Sequence, residues 1–293
     1  MKLFGIFNKK SNNTKFKRRK NIKIGLALGG GATRGIALIG VFRAFEELGI
    51  DFDFIAGTSV GSLFGALYAD GWTSSEMEKM LSMVSEKDIR SSKFFFMPSE
   101  TNTFYETIIR MLGSDKSFGE LKKKFIAVAV NLKSGNEVDI TTGSVARAIT
   151  ASSAVPGVFK PVVWDDKNLV DGGLVNSVPC DVARKMGSDF VIGVDVNRTR
   201  GDGTDSLKTL GILGSVVGIM LKSNATQNLH HADYIISPDL KRFKNTKFDG
   251  ASEMIKEGYD SVMRSAEDIL KILNGKQKKK ENLWKTPNIV EKI

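Results

Sequence analysis

The sequence predicts a three-layer α/β/α fold on a mostly parallel central sheet. Two observations carry that prediction. Apolar runs of strand length alternate with segments of helical period from residue 23 to residue 273, with no internal repeat. The runs are also continuously apolar rather than alternating, as strands covered on both faces require.

The elements follow in order. Residues 23–28, KIGLAL, give the first strand, and glycines 29–31 end it. Residues 34–48 place Ile36, Ile39, Phe42 and Phe45 at helical spacing, with Gly49 as the stop. Residues 52–57, FDFIAG, form a second strand, and 60–70 a helix ended by Gly71. The next helix opens on a capping box, Thr73 with Glu76. Residues 88–118 are less regular. FIAVAVNL (125–132) is a third buried strand, 136–143 a further one, and 144–152 a short helix. Asp165 and Asp166 belong to a hairpin turn, and KNLVDGG (167–173) leads out of a strand. A helix at 181–187, a strand at 189–196, mostly helix over 206–231, a strand at 233–238 and an amphipathic helix at 250–273 complete the series.

The 293 residues suffice for one large domain with a sizeable core. The net charge of +10 is concentrated at the ends: residues 1–20 carry eight Lys or Arg and no acid, and 275–293 carry six against two acids. Residues 21–274 hold 29 basic and 31 acidic residues. The reading is therefore a basic arm (1–20), one domain (21–274) and a basic tail (275–293). A nucleic-acid-binding domain would carry its basic stripe on the folded body, so no nucleic acid is expected. The arms suit solvent or an anionic surface. In MKLFGIFNKK the apolar stretch is too short for a secretory signal. TLGILGSVVGIML (209–221), with three glycines, is too short to span a bilayer. A cytoplasmic chain, peripheral on a membrane through its basic ends, is expected. The single cysteine, Cys180, reads as a small buried apolar residue.

Chemistry concentrates in two strand ends. GTSVG (57–61) is a G-x-S-x-G pattern between a buried strand and a helix. On so sharp a turn the neighbours crowd the backbone, and only glycine leaves room two residues before and two after Ser59. The Val60 N–H then faces a bound oxygen at a helix N-terminus. The glycine run at 29–31 has two readings, a phosphate cradle or a set of N–H donors for an oxyanion. A dinucleotide site wants an acid at the end of the second strand, where Gly57, Thr58 and Ser59 stand instead. Strict G-x-G-x-x-G spacing also fails. The oxyanion reading is favoured, with one such donor worth about 3 kcal/mol of barrier.

The serine needs a base. His230 and His231 follow in the order Ser, Asp, His, yet a helix end accounts for them structurally. Asp171 in VDGGLVNSVP stands at a strand end with glycines beside it and is the preferred base. It can accept a proton as the serine attacks in a water-poor cleft.

Taken together, GGGATRG (29–35), GTSVG (57–61), DGG (171–173) and ASSAVPGVFKP (151–161) resemble the patatin-like phospholipases, especially the bacterial branch related to neuropathy target esterase. The resemblance spans roughly residues 22 to 240. It implies hydrolysis of phospholipid or lysophospholipid acyl esters through an acyl-enzyme. It implies a Ser59–Asp171 dyad, an oxyanion hole from Gly29, Gly30, Gly31 and the Val60 N–H, and no metal or other cofactor. Arg34 would steady the loop or face a lipid headgroup, with a structural salt bridge as the plain alternative. KFFFMPSETNTF (93–104) is a candidate wall or flap of an acyl groove, and Gly211, Gly214 and Gly218 permit close helix packing. The alternative from another class is a catalytically inactive membrane adaptor on the same fold.

Overall fold

The computed structural model describes residues 22–83, 101–198, 219–220, 223–224, 227–243 and 250–274. The parallel core is formed by β1 (Ile24–Leu28), β2 (Phe54–Thr58), β3 (Lys124–Asn131), β7 (Phe190–Val194) and β8 (Tyr234–Ile236). Three antiparallel strands extend it: β4 (Glu137–Ile140), β5 (Val162–Trp164) and β6 (Lys167–Asp171). Hydrogen-bonded neighbours run β5-β6-β3-β2-β1-β7-β8, with β4 also paired to β3. The hairpin turn at Asp165 and Asp166 joins β5 to β6, and Asp165 there takes φ 53°.

Strand burial follows from composition. Every residue of β1, β2 and β7 is buried. Alternate residues face opposite ways. Leu26, Ile55, Ala127 and Ile192 join a large core beneath α1 (Ala37–Leu48), α2 (Val60–Asp70), α3 (Ser74–Met83), α4 (Thr101–Leu112), α5 (Val145–Ser152) and α7 (Ala251–Leu273). Ala27, Ala56, Val128 and Val191 join a smaller core with Cys180 and Val182 of α6 (Cys180–Lys185) on the other face. Cys180 is fully buried.

Boundaries differ from expectation at the site. The helix expected from residue 34 begins as a single 3-10 turn, Ala32–Ile36, with α1 starting at Ala37. The glycine loop therefore enters the helix through a tighter turn. The strand expected at 52–57 runs to Thr58, which leaves Ser59 alone between β2 and α2. The capping box forms: the Thr73 N–H donates to Glu76 Oε2 (2.7 Å), and the Glu76 N–H donates to Thr73 Oγ1 (3.3 Å). Most of the helix expected over 206–231, the flap residues 93–100, Gly211, Gly214, Gly218 and both basic ends lie outside the described residues.

One feature of register positions the site. Val128 pairs with both Thr58 and Asp139, so β2 and β4 lie on opposite edges of β3. Ala129 pairs with both Val138 and Asp171, so β6 and β4 also lie on opposite edges. Strands β2 and β6 therefore share one edge of β3. Running toward each other, they end against adjacent residues, Val128 and Ala129.

Candidate active site

Ser59 forms the whole connection between β2 and α2, at φ 53° and ψ −126°. A non-glycine residue held this way costs of order 1–3 kcal/mol, so its surroundings must impose the conformation. They do so at both ends. The Ser59 N–H donates to Ser152 Oγ (2.9 Å), which donates to the Val128 carbonyl (2.6 Å). The Ser59 carbonyl accepts from Ser62 N (2.8 Å) and Ser62 Oγ (2.6 Å). The flanking glycines are sterically required. A Cβ on Gly57 would stand 2.5 Å from the Gly61 carbonyl oxygen, and one on Gly61 would stand 2.2 Å from the Leu28 carbonyl oxygen. These contacts are with backbone, which cannot swing aside as a side chain would.

Asp171 is the last residue of β6 and is 4% exposed. Its N–H donates to the Ala154 carbonyl (3.0 Å), and Oδ1 accepts from the Gly173 N–H (2.8 Å). Burial pushes its carboxyl up to about 6, against the opposing effect of hydrogen bonds from Gly173 and the Ser59 side chain. Ser59 itself is partly exposed. A reachable hydroxyl thus sits against a carboxylate shut away from water. Thr58 Oγ1 donates to the Asn176 carbonyl (2.9 Å), tying the end of β2 to the loop after Asp171.

The glycine loop lies beside Ser59: a Cβ on Gly30 would be 3.2 Å from Ser59 Cβ. Two of the expected oxyanion donors are engaged within the fold. The Gly29 N–H donates to the Val194 carbonyl (2.9 Å) and the Gly30 N–H to the Ser177 carbonyl (3.1 Å). Both hold the loop to the fold. The N–H groups of Gly31 and Val60 meet no protein acceptor among the described residues.

Arg34 is turned into the fold. It is 4% exposed and donates to the Phe243 carbonyl (3.1 Å) and to Asn197 Oδ1 (3.5 Å). Of its expected roles, steadying the loop is the one these contacts support.

His230 and His231 lie in a 3-10 turn before β8, at the amino end of the parallel strands. Val194 is level with Leu28 and Ile236, and Leu28 with Gly57. Ser59 is thus two residues beyond that level and His231 five before it. At about 3.3 Å per residue the separation along the sheet is roughly 20 Å. Among the described residues no group of three or more His, Cys, Asp or Glu is disposed to hold a metal.

Two residues at the site were not singled out from sequence. Ser152 lies within ASSAVPGVFKP, so the resemblance marked its neighbourhood but not its role. Asn197, whose Nδ2 donates to the Gly30 carbonyl (2.6 Å), follows a strand as an ordinary loop residue would.

Fold and site define an α/β protein whose parallel sheet carries a serine on a strained strand-to-helix elbow. The chain belongs to the patatin-like phospholipase family, whose model matches residues 26–184. Patatin-like phospholipase domain-containing protein 7 of Rattus norvegicus is 34% identical over 184 residues, which cover 59% of this chain and 13% of that protein. Patatin-like phospholipase domain-containing protein 6 of Homo sapiens is 34% identical over 198 residues, 64% of this chain and 14% of that one. Lysophospholipase nte1 of Aspergillus fumigatus is 30% identical over 184 residues, 59% and 12%. The chain therefore spans only a small part of the length of these relatives. Among solved structures, VipD from Legionella pneumophila superposes with a TM-score of 0.54 at 14% identity, covering 89% of this chain and 71% of that one. That likeness concerns the fold alone.

Proposed function

We propose that this chain is a serine acyl hydrolase acting on phospholipid or lysophospholipid esters through a Ser59–Asp171 dyad. The observation that carries the reading is the pairing of a strained, reachable Ser59 with the buried Asp171 carboxylate. Family membership supports an ester of a lipid as the substrate, and the name of the Aspergillus relative, a lysophospholipase, supports the lipid class.

In the first half-reaction Ser59 Oγ attacks the ester carbonyl carbon while its proton passes to Asp171. A free aspartate, with a pKa near 3.9, is a weak base for an alcohol. Burial that lifts Asp171 to about 6 strengthens it, yet leaves it about 90% ionised at pH 7. The carbonyl oxygen, now negative, receives the N–H groups of Gly31 and Val60, the latter at the amino end of α2. Collapse of the tetrahedral intermediate expels the alcohol, which takes the proton from Asp171. Water then attacks the acyl-enzyme by the same route, its proton going to Asp171 and back to Ser59. Neither half-reaction draws on a histidine or a metal.

The test is hydrolysis of a panel of phospholipids and lysophospholipids by the wild-type protein beside Ser59→Ala. Release of fatty acid that depends on Ser59 supports the reading. A folded wild-type protein inert toward the whole panel, and toward short-chain esters, would assign the chain to the adaptor class.

A further inference from the structure

Gly30 and Gly31 share a trans peptide, so the Gly30 carbonyl and the Gly31 N–H point in opposite directions. Asn197 Nδ2 donates to that carbonyl at 2.6 Å. Glycine has no side chain to resist rotation of a peptide plane; the planes on either side are held by the Gly30 N–H to the Ser177 carbonyl (3.1 Å) and by the Arg34 N–H to the Gly31 carbonyl (3.1 Å). The contact from Asn197 selects one orientation. Asn197 is itself held firmly. It is 2% exposed, its N–H donates to Asp195 Oδ1 (2.9 Å), and its Oδ1 accepts from Arg34 (3.5 Å). The Asp195 N–H donates to the Ile236 carbonyl (2.9 Å), which anchors the assembly to β8. Gly30 itself lies beside Ser59, where an added Cβ would be 3.2 Å from Ser59 Cβ.

From this geometry we infer that Asn197 is a positioning residue for hydrolysis. It fixes the Gly30–Gly31 peptide so that the Gly31 N–H is presented to the oxyanion before substrate arrives. This rests on the oxyanion reading above. With Gly29 and Gly30 donating to the fold, Gly31 is the member of the glycine run left to serve, and its direction is set by one side-chain contact. A preorganised donor of this kind acts on the transition state and adds little to binding of the ground state.

The experiment compares wild type with Asn197→Ala and with Asn197→Asp, which keeps the shape and removes the donor. Turnover of a soluble p-nitrophenyl ester is measured, counting only activity abolished by Ser59→Ala. Both variants should lose tenfold or more in kcat with KM within twofold. A trifluoromethyl ketone, which forms a tetrahedral adduct on serine, should bind more weakly by a similar factor. A variant that is folded by circular dichroism and keeps kcat and ketone affinity within twofold of wild type overturns the inference. So does a loss confined to KM. The wild-type protein supplies a readout free of substitution: on formation of the ketone adduct the Gly31 amide proton should shift downfield and that of Gly30 should not. The reverse pattern overturns the inference. Ester turnover that survived Ser59→Ala would instead overturn the dyad, which keeps the two failures distinct.

Discussion

Thr58 and Asp171 end two strands that meet head-on along one edge of β3, paired to the neighbouring residues Val128 and Ala129. This junction between a parallel and an antiparallel strand brings a serine one residue past Thr58 against a carboxylate more than a hundred residues later. That carboxylate is buried, at 4% exposure. The pH dependence of the protein follows from this arrangement.

Hydrolysis should rise with pH and level off above about pH 6. Asp171 must be ionised to accept the Ser59 proton, and burial raises its pKa to about 6. The logarithm of kcat/KM for a soluble ester should therefore fall by about one unit for each pH unit below that value. A profile flat to pH 4.5 would show that no such group limits the reaction.

The same burial makes Asp171 costly to the fold. Its folded pKa lies above the unfolded value of about 3.9, so the native state binds more protons between pH 4 and pH 6. Stability from this group falls as pH rises through that window and stays low above it. Asp171→Asn keeps an oxygen for the Gly173 N–H and removes the buried charge. It should gain about 1–3 kcal/mol at pH 8, on the scale of 1.36 kcal/mol per pKa unit, and nothing at pH 4. Urea unfolding at the two pH values measures this; an equal gain at both would refute the charge as its cause.

Much of this site was legible in the sequence, and the reasons differ by residue. Ser59 was legible because Gly57 and Gly61 are sterically forced by backbone atoms 2.5 Å and 2.2 Å away, leaving a fixed spacing. Asp171 stood out as a lone acid at an apolar strand end. The direction of β6 was not legible, since strand composition does not encode which edge of β3 it joins. Nor were the partners of individual N–H groups, so Gly29, Gly30 and Gly31 looked equivalent although two of them serve the fold. The structural partner of Arg34 was not legible either, because the Phe243 carbonyl lies 209 residues away.

Ser152 should matter to both stability and turnover. It accepts the Ser59 N–H and donates to the Val128 carbonyl, so Ser152→Ala leaves one part-buried and one buried backbone group without that partner. A loss of about 1–3 kcal/mol is expected, with a fall in kcat as the Ser59 turn relaxes. Thermal unfolding and ester turnover on one preparation test it. Unchanged values in both would mean that the turn is held by α2 alone.

The basic arm offers a separate test. Leu3, Phe4, Ile6 and Phe7 precede seven Lys or Arg between residues 9 and 20, a pairing suited to an anionic bilayer. Each basic residue near such a surface contributes about 1 kcal/mol, screened by salt. The intact protein should co-sediment with phosphatidylserine vesicles at low salt and dissociate as salt rises. Removing residues 1–20 should reduce that binding more than it reduces hydrolysis of a soluble ester. Equal sedimentation of the two proteins would leave the arm without this role.

The dyad is tested most directly by mapping where a fluorophosphonate probe attaches, by mass spectrometry, across four folded variants. Wild type, His230→Ala and His231→Ala should carry the adduct on Ser59 at similar rates. Ser59→Ala should carry none there, and Asp171→Asn should react far more slowly because its amide cannot take the Ser59 proton. Labelling of Asp171→Asn at the wild-type rate, or loss of labelling in either histidine variant, would contradict a Ser59–Asp171 dyad.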